Sequence, residues 1–252
     1  MTFTLYSFIF LFLVTLFFYG IRKVYRPYVL LAASLIYIAY IDRNALISLA
    51  LCTALVYAAG RLIEMFVHQK KNKLANLSLF VSVGLMIAVL LIFKFSSRIP
   101  VFSTLILPIG FSYYSFQAIG YLVDIAGKKT HAEKNPALFA LYMCYFPKFV
   151  SGPIEREEIF IPQVKDLDTV RFRARGRLST AIAYMLYGFF MKTVVADNLG
   201  TFVPLLFDGY ESHSSLWLIL GSLSYTMQIY CDFAGYSSIA IGVSKIFGID
   251  LI

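Results

Sequence analysis

Long apolar runs recur along almost the whole chain, and they constrain its fold more than any other feature. A helix needs roughly 20 mostly apolar residues to cross the hydrocarbon core of a bilayer, with about 17 to 25 as the range. On that criterion we predict spans at Phe3–Ile21, Asn44–Gly60, Leu74–Phe95, Ile99–Val123, Leu178–Ala196 and Leu216–Tyr230. Two shorter runs, Tyr28–Ile41 and Ala137–Ser151, are expected to be re-entrant, tilted or continued by polar residues that face protein.

The composition excludes a water-soluble protein. Hydrophobic residues make up 60% of the chain and charged residues 14%, whereas a soluble domain is nearer half apolar and about a quarter charged. The sequence therefore predicts an all-α, polytopic transmembrane protein. It contains no internal repeat, low-complexity tract or linker, so we expect a single membrane domain over residues 1–252, with N-terminal transmembrane helices over 1–106.

The net charge of +8 comes from lysines and arginines in the short segments between apolar runs. This distribution is typical of membrane topology rather than of nucleic-acid binding. If the shorter runs are counted in chain order with the others, the basic residues concentrate after the first, third and fifth runs. They are Arg22, Lys23 and Arg26; Arg61, Lys70, Lys71 and Lys73; and Lys128, Lys129 and Lys134. The positive-inside rule then predicts an outside N-terminus and a cytoplasmic loop at Arg61–Lys73. The loop Pro153–Arg177 is also basic, which breaks this alternation because it comes only one run after the previous basic loop. Some segment between Ala137 and Arg177 is therefore expected not to cross the membrane.

Prolines mark where helices should begin or break. Pro27 and Pro136 open apolar runs at positions where a missing N–H does no harm. Pro108 and Gly110 fall inside a run and should kink or break it. The three cysteines have neither metal-ligand spacing nor a disulfide framework, and we predict that they are small apolar fillers: Cys52, Cys144 and Cys231. No metal site is predicted.

The segment PIGFSYYSFQAIGYLVD, residues 108–124, places many polar side chains in an apolar run and ends on Asp124. Polar groups at membrane depth must face a partner or a wet cavity. The alternative is hydrogen bonding between helices, which stabilises a bundle without catalysis.

The segment YFPKFVSGPIEREEIFIPQ, residues 145–163, has two proline-containing turns around a charged patch that includes Glu155 and Arg156. Such an amphipathic stretch suits an interfacial or re-entrant element. Alternating arginines follow it: Arg171, Arg173, Arg175 and Arg177. They could anchor the chain to anionic headgroups, or they could attract a phosphate-bearing acyl donor such as a coenzyme A thioester.

The segment QIYCDFAGYSSIAIG, residues 228–242, places Asp232 between an apolar span and a helix rich in small residues. An acid at this depth is costly unless it is paired or solvated, and is therefore a site candidate. A structural pairing with Lys192 or Lys245 is the alternative.

These segments, together with MKTVVADNLG at residues 191–200, resemble the successive signatures of the membrane-bound O-acyltransferase family, closest to its alginate O-acetyltransferase branch. The resemblance covers residues 107–252 in order and spacing, and the N-terminal runs match only in character. It implies a helical fold around a tunnel, in a bacterial inner membrane. It further implies transfer of an acyl group, usually acetyl, to a polysaccharide hydroxyl.

The resemblance also implies ligands and partners. The acyl donor would be cytoplasmic acetyl-CoA or another acyl thioester, with no resident cofactor, and the acceptor would be met through a periplasmic or extracellular polysaccharide-modifying protein. The motif positions expected to line the tunnel are Gln117, Tyr121, Asp124, Pro153, Glu155, Arg156, Asp232 and Tyr236.

The histidines depart from the family pattern. Family members carry their catalytic histidines downstream of the Asp-Phe-Ala-Gly-Tyr-Ser signature, whereas the histidines here are His68, His131 and His213, each read as lying in a loop. We therefore expect no catalytic residue within this chain, and expect it to be the N-terminal part of an O-acetyltransferase. Two alternatives remain open: a complete, non-catalytic membrane scaffold or docking protein, and a small-molecule transporter with broken helices.

Overall fold

The computed structural model describes residues 2–20, 22–96, 107–168, 176–209, 211 and 213–252. Within these ranges the regular elements are all helices, which confirms the all-α prediction. Contacts divide the chain into two compact units. The first comprises Met1–Val150 and Ile154–Val170, and the second Ser151–Pro153 and Arg171–Ile252. A single membrane domain over residues 1–252 stays a prediction.

The first unit contains seven α-helices in the described residues, and the second contains three α-helices and a π-helix. In the first unit they are α1 Thr2–Tyr19, α2 Arg26–Ile41, α3 Arg43–His68, α4 Asn72–Phe95, α5 Phe111–Ala126, α6 Pro136–Cys144 and α7 Glu157–Lys165. In the second they are α8 Arg177–Phe189, the π-helix Phe190–Ala196, α9 Asp197–Phe207 and α10 Ser215–Phe247.

Four helical stretches are long and apolar enough to cross a membrane: Lys23–Ile41, Arg43–His68, Asn72–Phe95 and Arg177–Phe207. The protein is thus a multi-pass membrane protein. Leu74–Phe95 matches α4 almost to the residue. Tyr28–Ile41, predicted to be short, lengthens to a spanning helix because Pro27 and a preceding 3₁₀ turn at Lys23–Tyr25 extend it.

Two helices continue past the end of their apolar runs, which corrects the predicted boundaries. α3 extends to His68, so Arg61 and His68 lie on a helix rather than in a loop; the Arg61–Glu64 ion pair (3.0 Å) supports this extension. α10 continues through Asp232 to Phe247, because the acid is paired with a lysine and need not end the helix.

Pro108 and Gly110 break the run Ile99–Val123, as expected. α5 begins only at Phe111, and Gly110 adopts a φ of 76°, which favours glycine. The run is therefore not one helix, and residues 97–106 lie outside the described residues. Pro136 occupies the first turn of α6, as Pro27 does in α2, which confirms both predictions.

The segment between α6 and α8 departs from a regular span. α6 and α7 have nine residues each, about 14 Å of helix, against the roughly 30 Å of a bilayer core. Neither is long enough to cross alone, in agreement with the expectation from the charge pattern. Pro162 lies inside α7, where a turn was predicted, because buried Phe160 and Ile161 hold this short helix in place.

Helix α2 fixes this segment at both ends. The Ser34 hydroxyl accepts a hydrogen bond from the backbone N–H of Phe146 (3.0 Å). The Arg26 guanidinium donates one to the backbone oxygen of Leu167 (2.6 Å). All three cysteines are buried and free, which confirms their predicted role as fillers.

The second unit is held by a seam of small residues between α8 and α10. Gly188 faces Gly235 and Ala181 faces Gly242, seven residues apart on both helices, so the helices run antiparallel. Small side chains let the two backbones approach closely, which is how helices pack in membranes without a hydrophobic driving force.

Candidate functional site

One group of polar side chains lies inside the first unit, where α5 meets the turn after α6. Gln117 donates from Nε2 to the backbone oxygen of Tyr142 (2.7 Å), and its Oε1 accepts from Nζ of Lys148 (2.8 Å). Gln117 is 6% exposed and Lys148 4%. Gln117 thus faces protein, as predicted for the polar residues of this segment, and uses both ends of its amide.

Lys148 is a member of this group that sequence reasoning missed. It is the only charged residue in the apolar run Ala137–Ser151, and that isolation was the available signal. Its Nζ lies 4.8 Å from the ring centroids of both Tyr142 and Phe160, within cation–π range. Lys148 lies in a turn outside the membrane-spanning helices, where burial lowers the pKa of its ammonium group and Glu155 opposes that shift.

Tyr142, also missed, connects the predicted residues of this region. Its hydroxyl donates to the backbone oxygen of Glu155 (2.9 Å), and its ring lies 6.3 Å from the ring of Tyr121. The Tyr121 hydroxyl accepts from the backbone N–H of Glu133 (3.2 Å). The fold therefore brings Gln117, Tyr121 and Glu155 around one buried tyrosine.

Asp124 and Arg156 form a second contact between the predicted residues. Nη1 of Arg156 lies 3.3 Å from both carboxylate oxygens of Asp124, and Nζ of Lys129 lies 3.8 Å from one of them. The Asp124 side chain is 11% exposed and that of Arg156 is 54% exposed. The predicted charged patch thus connects α7 to the end of α5 through a partly screened ion pair.

The second unit contains its own charged group. Nζ of Lys192 lies 2.5 Å from Oδ1 of Asp232 and 2.8 Å from Oδ1 of Asp197. The Lys192 side chain is 18% exposed, and each carboxylate side chain is 44% exposed. This confirms the pairing of Asp232 with Lys192. Lys245, the other candidate, pairs with Asp250 instead (2.6 Å).

The remaining predicted residues of this unit are Pro153, Tyr236 and Arg177. Pro153 is half-buried, and Tyr236 lies one helical turn after Asp232 with its hydroxyl oxygen buried. Arg177 donates from Nε to the backbone oxygen of Lys245 (2.8 Å) and pairs with Asp250 (2.8 Å). A phosphate at Arg177 would have to compete with that carboxylate. Arg171, Arg173 and Arg175 lie outside the described residues.

The histidines divide into a pair and a single residue. His68 and His131 come together at the carboxylate of Glu64 in the first unit. His213 in the second unit bonds through Nε2 to the backbone oxygen of Asp208 (2.8 Å) and packs on Trp217.

These features define a multi-pass helical membrane protein with charged and polar groups buried in its helix packing. Comparisons with known proteins narrow that class. The chain is 29% identical over 239 residues to the probable alginate O-acetylase AlgI of Pseudomonas putida, covering 89% of this chain and 48% of the relative. It is 31% identical over 171 residues to the peptidoglycan O-acetyltransferase of Helicobacter pylori, covering 58% of this chain and 32% of that protein.

A third relative is the teichoic acid D-alanyltransferase of Lacticaseibacillus rhamnosus, 29% identical over 181 residues, 68% of this chain and 44% of that protein. No protein-family model matches the chain. The chain is thus similar in sequence to alginate and peptidoglycan O-acetyltransferases and to a teichoic acid D-alanyltransferase. It spans about half or less of the length of these relatives.

Proposed function

We propose that this chain contributes to an O-acetyltransferase that modifies hydroxyl groups of an exported or cell-wall polysaccharide. The observation that carries the proposal is its similarity, over 89% of its length, to a probable alginate O-acetylase. Other relatives are named for different acceptors, peptidoglycan and teichoic acid. The similarity therefore favours acyl transfer to a polymer hydroxyl in general and does not select one glycan as the acceptor.

The proposed donor is an acyl thioester such as acetyl-CoA. In the reaction a sugar hydroxyl attacks the thioester carbonyl, loses its proton to a base, and releases the thiol. This step needs a base within hydrogen-bond reach of the hydroxyl and donors directed at the developing oxyanion. The alternating arginines at residues 171–177 would attract the donor phosphates at the cytoplasmic surface, and at Arg177 the phosphate would compete with Asp250.

The charged group of the second unit supports a tunnel within this chain. Charged side chains within membrane-spanning segments are rare and mark substrate paths when they are paired and face protein or water. Lys192 lies on the spanning stretch Arg177–Phe207, and its partners Asp197 and Asp232 stay partly exposed. We assign these residues to the wall of the acyl-transfer tunnel, with Tyr236 one turn away.

The proposed setting is a bacterial inner membrane with the N-terminus outside. The basic loop before α4 would then be cytoplasmic, on the side of the acyl donor. The acceptor would be presented on the opposite side by a periplasmic or extracellular partner protein.

The test is deletion of the gene and complementation in its host. The deletion strain should lose base-labile O-acetyl esters from its polysaccharide, and the wild-type gene should restore them. Asp232→Ala should restore little, while Asp208→Ala, which removes an exposed carboxylate of the same unit, should restore fully. Membrane abundance is measured by immunoblot for each variant. Unchanged ester content in the deletion strain would rule out the proposed function.

A further inference from the structure

Glu64, His68 and His131 present three metal-ligating atoms to one point at the end of α3. Oε1 of Glu64 lies 3.1 Å from Nδ1 of His131 and 3.7 Å from Nε2 of His68. The three ligand atoms all lie within 4.8 Å of one another. Four-coordinate zinc, with bonds of about 2.0–2.1 Å, places neighbouring ligand atoms about 3.4 Å apart. Small side-chain rotations therefore suffice to close these atoms around a cation.

The two carboxylate oxygens of Glu64 contact different groups. Oε2 accepts a hydrogen bond from Nη1 of Arg61 (3.0 Å), whereas Oε1 faces both imidazoles. Arg61 thus orients the carboxylate and leaves one oxygen for a ligand, an arrangement typical of the groups that surround metal ligands. The Glu64 side chain is 12% exposed, so its position is fixed by packing.

The loop that carries His131 is held on both sides of the histidine. The Thr130 hydroxyl bonds to Oε2 of Glu157, and the Tyr57 hydroxyl donates to the backbone oxygen of Lys134 (2.7 Å). Glu133 pairs with Lys165 (2.6 Å). His131 is therefore presented to α3 by a preorganised backbone, and its side chain, 84% exposed, contacts Glu64 through Nδ1.

The donor set selects the class of cation. Arg61 neutralises the charge of Glu64, so a hard cation such as Mg²⁺ or Ca²⁺, which needs several anionic oxygens, gains little here. Two imidazoles favour zinc and its transition-metal neighbours. Three protein ligands leave one position for water or a ligand, and both imidazoles are more than half exposed, with room for it.

We propose that Glu64, His68 and His131 form a site for a divalent transition-metal ion, zinc in particular, that joins the end of α3 to the loop after α5. Residue spacing gave no sign of this site, because His131 is brought to Glu64 and His68 only by the fold. Metal binding would stabilise this part of the first unit, because the three ligands are brought together only in the folded chain.

The test uses protein purified in detergent through a tag without histidines and stripped with a chelator. Titration with Co²⁺ should give intense visible d–d bands that saturate at one equivalent, and Zn²⁺ should abolish them. His68→Ala, His131→Ala and Glu64→Gln should each raise the dissociation constant for Zn²⁺ at least tenfold. Zn²⁺ should raise the melting temperature of the wild type but not of the double variant His68→Ala/His131→Ala.

His213→Ala is the matched control, because it removes the histidine of the other unit and should leave Co²⁺ and Zn²⁺ binding unchanged. Circular dichroism checks that each variant is folded. The side chains of His68 and His131 are largely exposed, so replacing them should leave folding intact. Equal Zn²⁺ binding by the wild type and the double variant, or absence of a stoichiometric Co²⁺ spectrum, would overturn the proposal and leave the cluster as a plain hydrogen-bonded ion pair.

Discussion

The contact between Gly188 and Gly235 gives a sharp test of how the second unit is held together. A Cβ added at Gly188 would lie 2.6 Å from the backbone oxygen of Gly235 and 2.8 Å from the backbone nitrogen of Ile239. A Cβ at Gly235 would lie 2.9 Å from the backbone nitrogen of Lys192. The obstructing atoms belong mostly to backbone, so they cannot move without moving a helix.

The size of the effect follows from this geometry. Ordinary contact begins near 3.4 Å, so Gly188→Ala must separate α8 from α10 by about 0.8 Å at that point. A gap of about 0.5–1 Å forfeits a quarter to a half of the dispersion energy of each affected contact. Overpacking typically costs about 1–3 kcal/mol, and we expect the upper end here because the clash is with backbone.

The assay is thermal unfolding in detergent, with circular dichroism as the readout. Gly188→Ala and Gly235→Ala should each lower Tm by about 5 °C or more. Gly84→Ala and Gly120→Ala are matched controls, since a Cβ at either position meets nothing within 4 Å, and alanine favours helix. They should leave Tm unchanged or higher. If Gly188→Ala unfolds at the wild-type temperature, the close approach of the two helices is not what stabilises this unit.

Three further predictions concern charged residues. Lys148→Met should lower stability by about 1–3 kcal/mol in the same assay, because it leaves the buried Oε1 of Gln117 without the hydrogen bond from Nζ; a wild-type Tm would contradict this. A cysteine at Lys71, with the native cysteines replaced, should resist an impermeant thiol reagent in intact cells, and rapid labelling would reverse the proposed orientation. Asp232→Asn should remove one of the two carboxylates that pair with the Lys192 ammonium and reduce polysaccharide O-acetylation with normal membrane abundance; full acetylation would remove Asp232 from the proposed tunnel.

The apolar pattern predicted the existence of most helices but not where they end. Hydrophobicity reports only where a segment meets lipid, whereas helix ends are set by caps and by paired charges. The start of α3, where the Asp42 side chain accepts from Asn44 N–H (2.9 Å), lies within one residue of the predicted start. Its end at His68, and the end of α10 before Gly248 with a φ of 92°, lie beyond the apolar runs. α3 and α10 accordingly extend beyond their predicted limits.

In the candidate site, the sequence indicated the polar residues but not their partners. Gln117, Tyr121 and Asp232 could be identified because polar groups in apolar runs are costly and therefore conspicuous. Their partners were harder to find, since Lys148 and Tyr142 are brought to Gln117 by long-range packing that no local pattern encodes. The pairing of Asp232 with Lys192 was foreseen only as one of two options, because sequence separation does not say which lysine lies opposite.

The π-helix between α8 and α9 explains how one lysine serves two carboxylates. Lys192 and Asp197 are five residues apart, and at about 100° per residue an α-helix would direct their side chains roughly 140° away from each other. The π-helix Phe190–Ala196 widens the turn, and the backbone N–H of Asp197 bonds to the oxygen of Lys192. Both side chains then lie on one face, 2.8 Å apart, and that face is turned to Asp232 on α10. π-helical turns are uncommon and often occur at functional sites. The π-helix replaces α-helical hydrogen bonding at the position where Lys192 pairs with Asp197 and Asp232. This local change in the backbone is the feature that connects the fold of the second unit most directly to its proposed role.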